Sequence, residues 1–265
     1  QEPNFLAKRR AYDNTNDQSD PFFNEHIPKA LGVGKKIQIE CDPFINLAQY
    51  SKLSNRAIET LLTTKLTKLI DQAKHPSLDR IAYVLKETSL LLNLLGKNTT
   101  SSSPFTISTK TTNTLAAFFL KYPQACSSST PRFVSLFFHS LAKLNVTSDE
   151  LWTYASESLL YSLNEIYVSE EALPQSISMI LWSFGKLQIK NEDIFDRFSE
   201  LFLSKERPVI LTDFSAQSIA NILCAFATLG YKNKPLFDLF SAHLLSENSL
   251  PILEKFTPQN IANTL

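Results

Sequence analysis

Gln217, Asn221, Cys224 and Thr228 stand at i, i+4, i+7 and i+11, so on a helix they share one face. At a distance of 42 residues the same places hold Gln175, Met179, Trp182 and Lys186 upstream, and Gln259 and Asn263 downstream. A carboxamide presents a donor beside an acceptor, which suits a nucleobase edge, and an indole presents a face on which a base can stack. Helical-repeat RNA readers meet each base with two or three side chains of this kind per repeat. Lys186, Lys190 and Lys232 add ammonium groups near helix ends, and such groups meet phosphates, which position a strand without reading it. The same residues also have plainer uses. Gln and Asn near a helix start can cap it or bridge neighbouring repeats, and Lys at a helix end complements the dipole.

Other chemistry finds little footing. His26, His75, His139 and His243 have no cysteine or carboxylate partners at metal-ligand spacing, and His139 falls at the place equivalent to Trp182, where packing is expected. Cys41, Cys126 and Cys224 are far apart and odd in number, which fits neither a disulfide framework nor a zinc site and points to a reducing interior. Gly32-Val-Gly34 lacks the preceding strand, third glycine and following helix of a phosphate loop. The expectation is a protein with no catalytic residues, no metal and no cofactor.

The candidate side chains act together only if the elements that carry them recur. Leu173-Pro-Gln-Ser-Ile177, Phe214-Ser-Ala-Gln-Ser-Ile219 and Phe256-Thr-Pro-Gln-Asn-Ile261 set their glutamines 42 residues apart, and a period of that size marks stacked supersecondary units. The same step carries Ile180 to Ile222, Leu181 to Leu223, Phe184 to Phe226, Leu187 to Leu229, Phe195 to Phe237 and Phe198 to Phe240. Ile177, Ile180, Leu181, Phe184 and Leu187 form a helical stripe that a neighbour must cover. Gly230 suits a C-cap, Asn191 followed by Glu192 and Asp193 suits an N-cap, and Pro235 suits the first turn of a second helix. Each unit therefore reads helix, short turn, helix. Upstream, a shift of 43 aligns Ser140-Leu-Ala-Lys-Leu144 with Ser183-Phe-Gly-Lys-Leu187, giving a degenerate unit over 132–169. A shift of 108 aligns Asn113-Thr-Leu-Ala-Ala-Phe118 with Asn221-Ile-Leu-Cys-Ala-Phe226, suggesting a fourth. Before that only helical periodicity remains, over about 54–73 and 77–95, with Gly96 placed to end the latter.

The expected fold is all-α: an α-solenoid of stacked antiparallel helix pairs, right-handed, with a period of about 42 residues over 107–265. A divergent helical region over 51–106 and an extended N-terminal arm over 1–50 precede it. The chain stops at Leu265 in the middle of a repeated helix, so it reads as a piece of a longer polypeptide. Lys plus Arg equals Asp plus Glu at 26 each, so no global positive field announces nucleic acid. No apolar run reaches the roughly 18 to 20 residues needed to span a bilayer. Lys8-Arg9-Arg10 reads as a solvated charge cluster or the stump of a basic targeting segment, and Asn98-Thr-Thr100 is a sequon in a polar loop.

Phe214-Ser-Ala-Gln-Ser-Ile-Ala-Asn-Ile-Leu-Cys-Ala-Phe-Ala-Thr-Leu-Gly230 and Phe256-Thr-Pro-Gln-Asn-Ile-Ala-Asn-Thr-Leu265 resemble the organellar octotricopeptide or heptatricopeptide repeat proteins. These are relatives of the FAST-kinase-like and RAP-domain proteins. Trp182 occupies the tryptophan position of that pattern, and Cys224 replaces it one unit on. The resemblance covers 173–265 specifically and reaches back to about 107; no RAP domain is present in the chain as given. It implies a non-enzymatic protein of a mitochondrion, alternatively a plastid. Such a protein binds organellar mRNA or rRNA and works in RNA metabolism or as a ribosomal subunit among other proteins of a ribonucleoprotein. The implied RNA-binding set is Gln175, Trp182, Lys186, Lys190, Gln217, Asn221, Thr228, Lys232, Gln259 and Asn263. The competing reading, favoured by the neutral net charge, is a scaffold that binds protein within a large assembly without touching RNA.

Overall fold

A computed structural model of the chain describes residues 54–72, 76–94, 105–163, 174–205, 210–246 and 249–264. Among them are eleven α-helices and no strand. The expected arm with Lys8-Arg9-Arg10, His26, Gly32, Gly34 and Cys41 lies outside the described residues, as do His75, Gly96 and the Asn98 sequon. The helices are α1 Asn55–Thr67, which runs on into a π-helical turn Lys68–Gln72, α2 Leu78–Leu94, α3 Thr109–Lys121, α4 Pro131–Lys143 and α5 Asp149–Leu163. They continue with α6 Pro174–Leu187, α7 Glu192–Leu203, α8 Ala216–Thr228, α9 Lys234–Leu244, α10 Leu250–Leu253 and α11 Pro258–Thr264.

The chain itself supplies the starts and stops. Ser108, Asn191, Ser215 and Asn233 each accept a hydrogen bond through the side-chain oxygen from the backbone N–H three residues on, which satisfies a donor left open at the first turn. The turns out of α4, α6 and α8 share one conformation: Asn145, Gln188 and Gly230 take φ of 53°, 56° and 77°. At each, the next N–H reaches back five residues, Val146 to Leu141, Ile189 to Phe184 and Tyr231 to Phe226, while the αL residue bonds three back. This is the Schellman arrangement, which ends a helix and reverses the chain at once. Turns this short bring the next helix back as an antiparallel neighbour.

Alternate helices are the closest neighbours. Contacts join α2 to α4, α4 to α6, α6 to α8 and α8 to α11, and separately α1 to α3, α3 to α5, α5 to α7 and α7 to α9. Successive helices thus stack as two rows. In the first row, the Ser178 hydroxyl donates to Ser218 Oγ at 3.3 Å. Further along the same two helices, a Cβ built on Gly185 would lie 3.0 Å from Ala225 Cα. Both pairs have the same offset in sequence, so α6 and α8 run parallel, and small side chains let their backbones approach closely.

Between the rows lies an aromatic seam. Phe119 meets Phe137 at 5.2 Å, Phe138 meets Trp152 at 5.4 Å, Trp152 meets Phe184 at 4.9 Å, and Phe184 meets Phe195 at 6.1 Å. Phe195 then meets Phe226 edge-on at 4.8 Å and stacks on Tyr231 at 4.5 Å. Most of the predicted stripe is buried: Ile177, Ile180, Leu181, Phe184 and their counterparts Ile219, Ile222, Leu223, Phe226 are all at most 5% exposed, whereas Leu187, at the end of α6, is half-buried. One alignment does not survive. Asn113–Phe118, matched by sequence to the first helix of a unit, lies on α3, whose neighbours are α1 and α5 in the second row. The first-row place beside α4 is taken by α2, because a shared Asn-x-Leu-x-Ala-Phe pattern says which face is apolar but not which row the helix joins.

Candidate nucleic-acid interface

The first-row helices carry a polar face beside the buried stripe, and its pattern recurs. Gln175 and Lys186 are exposed on α6 with Met179 and Trp182 half-buried between them. On α8, Gln217 and Thr228 are exposed and Asn221 and Cys224 half-buried, and on α11 Gln259 is exposed and Asn263 half-buried. Because α6 and α8 run parallel, Gln175 and Gln217 fall at the same end of their helices, three residues before Ser178 and one before Ser218 of the Ser178–Ser218 contact. On α11 the Gln259 amide donates to Asn263 Oδ1 at 2.8 Å, and on α8 Cys224 Sγ lies 3.7 Å from Thr228 Oγ1. Lys190 and Lys232 are exposed in the turns that follow α6 and α8, two residues beyond the αL positions. Lys232 lines a shallow depression with Gly230, Tyr231, Lys234 and Phe237.

At the seam between α4 and α6 the side chains meet directly. The His139 ring lies 5.0 Å from Trp182, tilted by 37°, and Lys143 Nζ sits 5.3 Å from the centroid of the same indole. His139 and Lys143 are one helical turn apart on α4, so both reach the same neighbour on α6. Burial, aided by the Lys143 ammonium, holds the His139 imidazole down to about 4, so it is neutral at physiological pH. Burial also lowers Lys143, and the nearby Lys186 ammonium lowers it further. The Lys143 ammonium thus lies against the indole, with a second ammonium, Lys186, near enough to act on it. Sequence reasoning assigned His139 to packing and passed over Lys143, although its alignment already placed Lys143 opposite Lys186.

Charge is sorted along part of the stack. Of the first-row helices, α4, α6, α8 and α11 contain no Asp or Glu, while α2 carries Asp79 and Glu87. The second-row helices α5, α7 and α9 carry Asp149, Glu150, Glu157, Glu192, Asp193, Asp196, Glu200 and Asp238. A polyanion approaching α4, α6, α8 and α11 meets amides, an indole and lysines without facing carboxylates on those helices.

Among the described residues no group of three His, Cys, Asp or Glu side chains could hold a metal ion, and no helix is long and apolar enough to cross a membrane. Cys126 is fully buried, and burial pushes its thiol up to about 12, so it offers no thiolate. No family model matches the chain, and no curated protein matches it.

Proposed function

We propose that the chain is a non-catalytic RNA-binding helical-repeat protein. In this reading it is an α-solenoid of antiparallel helix pairs about 42 residues long, preceded by an extended N-terminal arm, and it works in a mitochondrion as a factor of RNA metabolism or an rRNA-binding ribosomal subunit. The observation that carries the reading is the absence of carboxylates from α4, α6, α8 and α11, with a repeated polar face on α6, α8 and α11. Helix starts at Pro131, Pro174, Ala216 and Pro258 support the repeat, and the resemblance to organellar repeat proteins supports RNA and the compartment. Gln175, Gln217, Gln259, Asn221 and Asn263 would meet base edges and Trp182 a base face. Lys186, Lys190, Lys232 and Thr228 would meet backbone.

The equal counts of acids and bases favour the scaffold reading, in which the same face meets protein. The two separate in one experiment: crosslinking in intact organelles, followed by sequencing of RNA bound to the full-length protein. Recovery of a defined set of mRNA or rRNA positions supports the RNA reading. Recovery of no RNA, together with no binding of single-stranded oligonucleotides at low salt, overturns it and leaves the scaffold.

A further inference from the structure

The polar face is not uniform. At the α4–α6 seam it presents a half-buried indole braced by His139 and flanked by Lys143 and Lys186. At the α6–α8 seam the places of Trp182 and Lys186 are taken by Cys224 and Thr228, which contact each other. The second seam therefore has neither an aromatic face nor a charge at those places. Among the described residues, ion pairs such as Arg197–Glu200 and Lys234–Asp238 lie elsewhere, and no carboxylate pairs with Lys143 or Lys186. Like charges held together and partly desolvated repel each other, and an anion between them relieves that repulsion. The neutral His139 braces the indole without competing as a third cation, so the platform is set before a ligand arrives.

We propose that the α4–α6 seam is a single nucleotide clamp, in which Lys143 and Lys186 hold one phosphate of a single-stranded RNA while the adjoining base lies on the accessible part of Trp182. This rests on the RNA-binding reading and departs from an even, one-base-per-repeat contact: one seam anchors the strand, and the amides of α6, α8 and α11 act on what the anchor delivers. Stacking of a base on an aromatic side chain contributes about 1–3 kcal/mol, which corresponds to roughly 5- to 150-fold in affinity.

The test uses the full chain and a labelled single-stranded oligouridylate, reading anisotropy for binding and tryptophan emission for stacking. Trp152 is 2% exposed, so a saturable change in emission that Trp182→Leu abolishes reports Trp182. The expected result is an emission change that tracks binding, at least a five-fold loss of affinity in Trp182→Leu, and a salt slope lowered by roughly 1 to 2 in Lys143→Ala/Lys186→Ala. Lys143→Arg/Lys186→Arg should restore the slope, and Lys121→Ala, on α3 of the other row, should leave the emission change intact. If the oligonucleotide binds while emission and all seam variants behave as wild type, the clamp is wrong and the RNA reading stands. If inorganic phosphate or a free mononucleotide binds as tightly as the oligonucleotide, the seam is a site for a small anion and the clamp is likewise wrong. Absence of any oligonucleotide binding removes both.

Discussion

Phe195 and Phe237 are each the fourth residue of their helix, α7 and α9, yet replacing them with alanine should have unequal costs. Phe195 is 0% exposed and touches three rings, Phe184 at 6.1 Å, Phe226 at 4.8 Å and Tyr231 at 4.5 Å. Phe237 is half-buried and lines the surface depression beside Gly230 and Lys232. Phe195→Ala removes a ring from a closed seam and leaves a cavity, which costs about 3–5 kcal/mol. Phe237→Ala loses only about half of a buried side chain's transfer energy, about 1–2 kcal/mol, because the surface can relax into the gap. For a chain of this size each kcal/mol moves the thermal midpoint by roughly 2–4 °C, so the drops should be on the order of 6–20 °C and 2–8 °C. Circular dichroism melts of the two variants and the parent measure this directly. Equal drops, or a larger one for Phe237→Ala, would refute the claim that depth within the stack, rather than place within the helix, sets the cost.

Gly185→Ala should destabilise by about 1 kcal/mol, since overpacking of about 1–3 kcal/mol against the Ala225 backbone outweighs about 1 kcal/mol gained in helix propensity; a higher urea midpoint in the variant would show that the α6–α8 spacing yields. Glu59 accepts hydrogen bonds from Ser108, Thr111 and Thr63; burial raises its pKa, but these bonds together bring it below the ordinary value. A depressed carboxylate contributes stability that is present above its unfolded pKa and lost as pH falls through the folded one. Glu59→Gln should therefore lower stability at neutral pH and flatten the acid limb below about pH 4.5, and an unchanged acid limb in urea melts would count against it. Lys190→Ala and Lys232→Ala should each weaken oligonucleotide binding about equally for all sequences and lower its salt slope by roughly one, whereas Gln217→Ala should change base preference; the reverse pattern in titrations at two salt concentrations would exchange their roles.

Much of the helical framework was legible because it depends on local rules. The Ile177–Phe184 stripe, the Asn191 N-cap and the Gly230 C-cap each follow from one short stretch of sequence, and each stands in the structure as read. Gln188 was not legible. It takes the same αL conformation as Gly230, but a glutamine gives no sign of φ at 56°, which the Schellman bonds and the packing of α7 impose from outside. The seam cluster was hidden for a different reason. Sequence-equivalent residues are 42 apart, whereas residues that touch along a row or between turns have other offsets: Ser178 with Ser218, Gly185 with Ala225, Asn191 with Tyr231, Lys143 with Trp182. A period identifies alike positions; the pitch at which helices pack decides which unlike positions meet. That is also why α3 fell in the wrong row when aligned by its apolar pattern alone.

The run of carboxylate-free helices α4, α6, α8 and α11 changes what the neutral total implies. A net charge of zero argues against a nucleic-acid surface only if the two signs are mixed, because interspersed carboxylates cancel the local potential within about a Debye length, roughly 8–10 Å in physiological salt. Here α4, α6, α8 and α11 lack carboxylates altogether, while α7 alone carries Glu192, Asp193, Asp196 and Glu200 on the other row. Glu192 and Asp196 of α7 do act on Tyr231 beside Lys232, so the carboxylate-free stretch is the helices α4, α6, α8 and α11 themselves rather than the turn after α8. Such a surface would attract a polyanion weakly at long range, and its hold would come from short-range contacts at sites such as Trp182, where the Lys143 ammonium lies against an aromatic face and Lys186 is near enough to act on it.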